Sequence, residues 1–531
     1  MAQSGAQRQP RRAGEIDRAV ALHRAGHFDE AAGIYRSILA ATPDQPDALN
    51  LLGLLRHQQH RNIEALHLIG AALERAAKST DIVNNLALVL AALGRHEEAL
   101  AHFERALAID GGHVNALNGR AGMLAQLQRH EEALAAYQRL LAVQPGHLSA
   151  LNESGGLNMR LGRPEAALAC YDQALAIAPA VELHVNKGTA LRAMNRDREA
   201  LASFAAAVAL RPDSAEAHWH ASLVRLRHGD FAAGWRDYEW RWHKADWAGR
   251  RRNFSAPLWL GKQPVEGRTI LLHAEQGLGD TIQFVRYAPL LAALGAKVLL
   301  AVQPQLKMLM RSIPGVSAVF GDGEVLSHFD LHCPLLSLPL AFATELATVP
   351  AKIPYLGPYR DRINAWRPRL PERGRLRIGL CWAGNPGHLN DRNRSLQLER
   401  LTQLLSISGL DFVSLQKDVV EADAAILRAH GVVELGRELT DFADTAAVLA
   451  MLDLIITVDT SVAHLAGAMG KAVALLLPFS PDFRWLLDRT DSPWYPSMRL
   501  FRQAAIGDWS APFAQLRQEL EELAHRPAKP R

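Results

Sequence analysis

At 531 residues the chain is too long for one hydrophobic core, and its 49% apolar and 21% charged content suits a globular protein of roughly two to four domains. The net charge of +4 is spread along the sequence, which argues against a nucleic-acid face. Cys170, Cys333 and Cys381 lie far apart with no metal-like spacing, which fits a reducing compartment without structural disulfides. The N-terminus lacks the apolar core of a signal peptide, and no apolar run approaches the ~18 residues of a membrane span, so a cytoplasmic protein is expected.

Residues 1–12 read as a disordered basic tail and 526–531 as a short tail. Between them, residues 13–248 carry a repeat. Ala31, Ala65, Ala99, Ala133, Ala167, Ala200 and Gly234 recur every 34 residues, with one interval of 33. Four positions after each stands a large apolar side chain: Tyr35, Ile69, Phe103, Tyr137, Tyr171, Phe204 and Tyr238. Pro43, Pro145, Pro179 and Pro212 fall on the same period, where a helix must stop. The small residue lets two helices approach and the large one fills the space beside it. This pattern resembles the tetratricopeptide repeat in about seven copies, which implies stacked helix pairs and a protein or peptide partner, or else a passive spacer or dimerisation arm. Asn84, Asn85, Asn115, Asn118 and Asn152 suit either peptide-backbone contacts in a groove or plain helix-surface positions. His57 and His60 lack a third ligand in register and read as a solvated face. The last unit, residues 229–247, holds Trp235, Trp240, Trp242 and Trp247, and reads as a capping helix docked on the following domain.

From residue 249 the pattern becomes α/β. Residues 269–273 read as a strand, followed by the turn Ala274-Glu275-Gln276-Gly277-Leu278-Gly279-Asp280 and a helix over 282–294. Strands at 297–302 and 329–333 flank a helix at 305–312. Gly277 and Gly279 lack the third glycine of a dinucleotide fingerprint and the Gly-Lys-Ser/Thr of a P-loop, which disfavours a redox cofactor or a P-loop nucleotide. They allow close approach of a ligand or a facing domain and present Asp280 at a helix start. A linker over 357–375 separates this half, 249–356, from a second, 376–525. In the second, strands at 377–382 and 412–415, a loop over 383–395, a helix at 441–450 and a final helix at 513–524 are expected; the final helix is long enough to cross onto the first half.

Residues 452–478 are the most informative stretch. Leu454 to Val458 suits a strand buried on both faces, Asp459-Thr460-Ser461 supplies capping chemistry, a helix follows through His464, and residues 473–477 form another buried strand. Polar residues beyond the carboxyl end of a strand, at a helix N-terminus, suit a phosphate; they equally suit a plain helix cap.

Two Rossmann-like halves behind a repeat array resemble glycosyltransferases of the GT-B fold. Gly277-Leu278-Gly279-Asp280 and Asp459-Thr460-Ser461-Val462-Ala463-His464 resemble elements of the heptosyltransferases, glycosyltransferase family 9, over residues 269–502. The architecture also looks like that of protein O-GlcNAc transferases, whose motifs are absent. The resemblance implies an inverting transfer from a nucleotide-sugar donor without metal or other cofactor. Asp280 is then the base, with Glu275 in reserve, although Asp280 also suits a helix cap. Asn385, Arg394, Lys417, Thr460, Ser461, Val462 and His464 would hold the donor, although His464 also suits a buried structural histidine, and Asp459 would cap the helix or contact a sugar. Trp485 and Trp494, in a loop over 478–496, are available to stack on the donor base or to pack. The first half is short for a heptosyltransferase acceptor domain, which points to an acceptor protein or peptide held by the repeats. The alternatives are an interaction scaffold with an inactive transferase part, and a lipopolysaccharide-core transferase.

Overall fold

The computed structural model describes residues 8–247, 249–387 and 390–525. The chain divides into two compact units, Met1–Ala190 and Leu191–Arg531. The predicted tail and first helix overlap: a helix already runs over Arg8–Arg24, and residues 1–7, like the C-terminal tail from 526, lie outside the described residues.

The first unit is a run of helices: Phe28–Ala41, Pro46–Gln58, Asn62–Arg75, Thr80–Ala92, His96–Ile109, Val114–Gln126, His130–Val143, Leu148–Arg160 and Pro164–Ile177. Their ends are set by local chemistry that recurs with the repeat. The side chains of Gln45, Ser79, His113 and His147 each accept the backbone N–H three residues on, satisfying an otherwise orphaned first-turn donor. At the other end of the same helices, His60, Gly94, Gln128 and Gly162 take left-handed φ angles that stop the helix and turn the chain. Arg61, Arg95 and Arg129 then pair with Glu64, Glu98 and Glu132 at the start of the next helix. Each exposed pair contributes little alone.

The predicted small-to-large packing is present throughout. The alanines at 31, 65, 99, 133 and 167 are fully buried, as are Tyr35, Ile69 and Phe103, with Tyr137 and Tyr171 nearly so. Closeness reaches its limit at the repeat glycines: a Cβ on Gly155 would stand 2.4 Å from the Tyr171 ring, and one on Gly119 2.3 Å from Phe103. Two of the asparagines singled out bond to further asparagines about one repeat away, Asn85 donating to Asn50 at 3.1 Å and Asn152 accepting from Asn186 at 2.9 Å. His57 is held by Asn62, and no metal-binding cluster occurs among the described residues.

The second unit opens with helices Asp197–Leu210, Ala215–Arg227 and Phe231–Tyr238 and continues into two parallel sheets. In the first, β1 (Thr269–His273), β2 (Lys297–Val302), β3 (Val316–Gly321) and β4 (Leu331–Pro334) lie in the order β3-β2-β1-β4. In the second, β5 (Leu376–Cys381), β6 (Leu410–Ser414), β7 (Val433–Glu434), β8 (Leu454–Val458), β9 (Val473–Leu477) and β10 (Met498–Arg502) lie in the order β10-β9-β8-β5-β6-β7. Ile378 of β5 faces Leu454 of β8, and Ile455 of β8 faces Val473 of β9. These central strands are apolar on both faces, as sheets covered on both sides require.

Three observations refine these expectations. The linker contains a helix, Arg360–Trp366, tied to the Phe442–Ala450 helix by Arg362 and Trp366 bonding Asp444 at 2.8 and 3.0 Å. The final helix, Ser510–Ala524, stays on the second sheet, because Phe513, Leu516 and Leu520 form one apolar face that shares a core with Ile378, Leu380 and Phe412. The last helical repeat docks on the following sheets, since Phe231, Trp235 and Tyr238 enter one core with residues of both, and the second compact unit begins at Leu191.

Gly155→Ala should lower unfolding free energy by about 2 kcal/mol through overpacking against Tyr171. Gly70→Ala, whose Cβ meets nothing within 4 Å, should be neutral or stabilising by about 0.5–1 kcal/mol. Thermal or urea melts of the two variants check the contrast.

Candidate functional site

The order of the second sheet reverses between β5 and β8, and in an open parallel sheet the crevice outside the carboxyl ends at such a point is where ligands bind. Trp382, Ala383 and Gly384 follow β5 there, and Asp459 and Thr460 follow β8. Gln416 stitches the crevice floor, its Oε1 accepting the N–H groups of Trp382 at 3.2 Å and Ala383 at 3.0 Å. Thr460 is the extended N-cap residue of the Ser461–Ala468 helix, yet its hydroxyl pairs with Thr457 Oγ1 at 3.2 Å rather than capping. The first-turn amides, including those of Ser461 and Val462, have no acceptor within the helix by their position, and the helix dipole makes this end attractive to an anion. Arg394 crosses the mouth, Nη1 donating to the Asp459 carbonyl at 2.9 Å and Nε to Asp391 at 3.1 Å. Gly384 makes room for it: a Cβ there would stand 2.4 Å from Arg394 Nη2.

Opposite lies the β1 turn. The Leu278–Phe284 helix starts at Gly277, whose N–H donates to Asp280 Oδ2 at 2.8 Å, so Asp280 does cap its helix. Its Oδ1 is ion-paired with Arg484. Gly279 meets the second half: a Cβ on it would be 2.7 Å from His464 Cδ2, so of the two readings of this glycine the facing domain is realised. His464 is buried, Nδ1 is 2.9 Å from the Tyr495 hydroxyl, and its ring stacks on Trp485 with centroids 5.3 Å apart. Burial, reinforced by the charges of Arg484, Arg286 and Arg394, drives its pKa well down, so His464 is neutral. Its Nε2 stands 3.8 Å from Asp459 Oδ1. Burial, with Asp482 adding to it, pushes the Asp459 carboxyl up to about 6 against the pull of Arg484 and Arg394.

Of the residues singled out from sequence, Asp280, Gly277, Gly279, Arg394, Asp459, Thr460, Ser461, Val462 and His464 thus gather at one junction. Asn385 and Lys417 are engaged elsewhere: Asn385 Oδ1 accepts the Gly387 N–H at 2.9 Å, closing its own turn, and Lys417 Nζ donates to the Leu439 carbonyl at 3.2 Å. Trp485 and Trp494 are fully buried and pack rather than wait for a base. Glu275, the reserve base, lies at the carboxyl end of β1 but faces the joint with the repeats. Its Oε1 accepts from Leu336 N at 3.2 Å and Arg241 Nη2 at 3.3 Å, and Arg241 also bonds Glu239 and Ser337. Burial pushes the Glu275 carboxyl up to about 7.

Sequence reasoning missed Arg484. It donates to Gln283 Oε1 at 2.7 Å, to Asp482 at 2.7 Å and to Asp280. No local motif marks it, since its partner Asp280 is 204 residues away.

Comparison with known proteins agrees with the helical part. Tetratricopeptide-repeat models match residues 16–66, 79–146, 120–197 and 185–238, so the N-terminal helices are tetratricopeptide repeats. The chain is 26% identical over 327 residues to protein FlbA of Caulobacter vibrioides, covering 57% of this chain and 54% of the relative. It therefore spans about half the length of the curated relative it matches, and the match is longer than the repeat array, so it runs into the α/β part. Among solved structures, the pilus biogenesis factor PilW aligns with 39% of this chain and 96% of its own, at 21% identity and a TM-score of 0.37. Pseudomonas aeruginosa PilF aligns with 40% and 96%, at 18% identity and a TM-score of 0.37. No helix among the described residues is long and apolar enough to cross a membrane.

A carboxyl held near 7 when folded and near 4.5 when unfolded binds an extra proton in the folded chain between those values. Its contribution to stability therefore declines as pH rises through that window. Glu275→Gln should flatten the decline, shrinking the difference in unfolding free energy between pH 5 and pH 8 by about 2 kcal/mol. Denaturant titrations at the two pH values check it.

Proposed function

We propose that the chain is an inverting glycosyltransferase of the GT-B type, moving a sugar from a nucleoside-diphosphate donor to a protein or peptide acceptor held by the tetratricopeptide repeats. The observation that carries the reading is the meeting of Asp280 from one parallel sheet with the switch-point crevice of the other, where the start of the Ser461–Ala468 helix and Arg394 sit together.

In this mechanism the acceptor hydroxyl oxygen attacks the anomeric carbon as its proton passes to the Asp280 carboxylate. The bond from that carbon to the phosphate oxygen breaks, and its electron pair leaves with the nucleoside diphosphate. The amides of Ser461 and Val462, the helix dipole and Arg394 offset the charge that develops on the leaving group. Neutral His464 and Asp459, the latter able to hold a proton near pH 6, suit hydrogen bonds to sugar or phosphate oxygens. The likeness of the Gly277–Asp280 and Asp459–His464 elements to those of heptosyltransferases supports the same assignment.

A second reading, a repeat scaffold whose α/β part no longer turns over, is favoured by one observation: both Asp280 oxygens already have partners.

Calorimetric titration with ADP, UDP, GDP and CDP separates the two. Micromolar binding of one nucleotide, weakened about tenfold in Arg394→Ala by loss of a charged contact, is expected for the transferase. Binding of none of the four would leave the scaffold.

A further inference from the structure

Arg484 lies in the segment that follows β9, and three features mark it as more than packing. Its side chain is 8% exposed, yet it holds two carboxylates, Asp280 from the first half and Asp482 from its own loop, while Nε is fixed on Gln283. The next residue, Trp485, stacks on His464 with ring centroids 5.3 Å apart, which sets this segment against the Ser461–Ala468 helix. Immediately after Trp485, Leu486 and Asp488 take φ angles of 52° and 50°, a left-handed conformation that non-glycine residues adopt at a cost and that accumulates at functional sites.

The segment is also anchored from the far side. Asn195 donates to the Phe479 carbonyl at 2.8 Å, Ser480 to the Arg192 carbonyl at 3.0 Å, and Arg227 to Ser480 at 2.9 Å. Arg227 itself is buried and ion-paired with Asp197. A guanidinium held in this way has already lost its rotamer freedom, so little entropy remains to be lost when it meets an anion.

We propose that Arg484 is a donor-phosphate ligand that exchanges partners: when a nucleoside diphosphate enters, its phosphate takes the Arg484 N–H groups now given to Asp280, and the carboxylate is released to accept the acceptor proton. This rests on the transferase reading above. In the resting protein Asp280 occupies the anion position, so the internal carboxylate competes with the incoming phosphate for the same donors. The exchange needs no new cation at the site, because Arg484 remains paired with Asp482 throughout. It also orders the events, since Asp280 becomes a free base only once the donor is seated.

Competition gives opposite signs to two substitutions. With the full chain and ADP, UDP, GDP and CDP as probes, Arg484→Gln should weaken binding of whichever nucleotide binds by about tenfold or more. Asp280→Asn should tighten it several-fold, because the internal competitor is gone, although transfer is lost. Tightening cannot arise from misfolding, and melting temperatures of both variants guard the first result. Wild-type binding that is unchanged in Arg484→Gln, or weakened in Asp280→Asn, overturns the exchange and leaves the transferase reading intact. Failure of the wild type to bind any of the four overturns both.

Discussion

The contact between Gly279 and His464 is the constraint on which the α/β part depends. The Leu278–Phe284 and Ser461–Ala468 helices each start at the carboxyl end of a sheet, and each carries polar residues in its first turns. Only a residue without a side chain allows the two to touch there. With the gap closed, the imidazole is dry, stacked on Trp485 and uncharged, and Asp459 and Asp280 are drawn to the same junction. The neutrality of His464 and the raised carboxyl of Asp459 follow chiefly from that dryness, because burial raises the cost of each unpaired charge.

The junction answers that cost by pairing most of its carboxylates with guanidiniums. Arg484 and Arg394 stand among Asp280, Asp482, Asp459 and Asp391, and neutral His464 adds no further cation. Carboxylates and guanidiniums so arranged are stable together and costly apart, so removal of any one member leaves a partner stranded. A second buried set, Arg241 with Glu239 and Glu275, performs the same service at the joint between the last repeat and the first sheet.

Periodicity made much of this legible. The repeat spacing marked the small and large core positions of each helix pair, and the unbroken apolar runs marked β1, β2, β8 and β9 with boundaries that match. β3 escaped because Val316–Gly321 is half-exposed and short of the apolar density that marks a buried strand. β7 is only two residues long. Asp459 to Val462 were legible because strand end and helix start are adjacent in sequence, and Gly279 because a glycine at a turn announces a close neighbour. Arg484, Gln416 and Arg241 were not, since each takes its meaning from a partner that only the fold supplies. The bonds that Lys417 and Asn385 make were not legible either: position near a strand end says nothing about which way a long or turn-forming side chain is drawn.

The unit boundary at Ala190 and Leu191 also bears on how such a chain can be rearranged over evolutionary time. Repeat arrays grow and shrink by whole units, since each unit contacts mainly its neighbours. Here the last helices have given up that freedom: Trp235 packs on Phe284 and Phe483, and Phe231 on Trp494. Units nearer the N-terminus can be duplicated or lost without disturbing a sheet, whereas the final pair is inherited with the α/β part. Variation in array length among descendants of this chain therefore belongs upstream of residue 191, and the helices beyond it should track the sheets in sequence as though they were one domain.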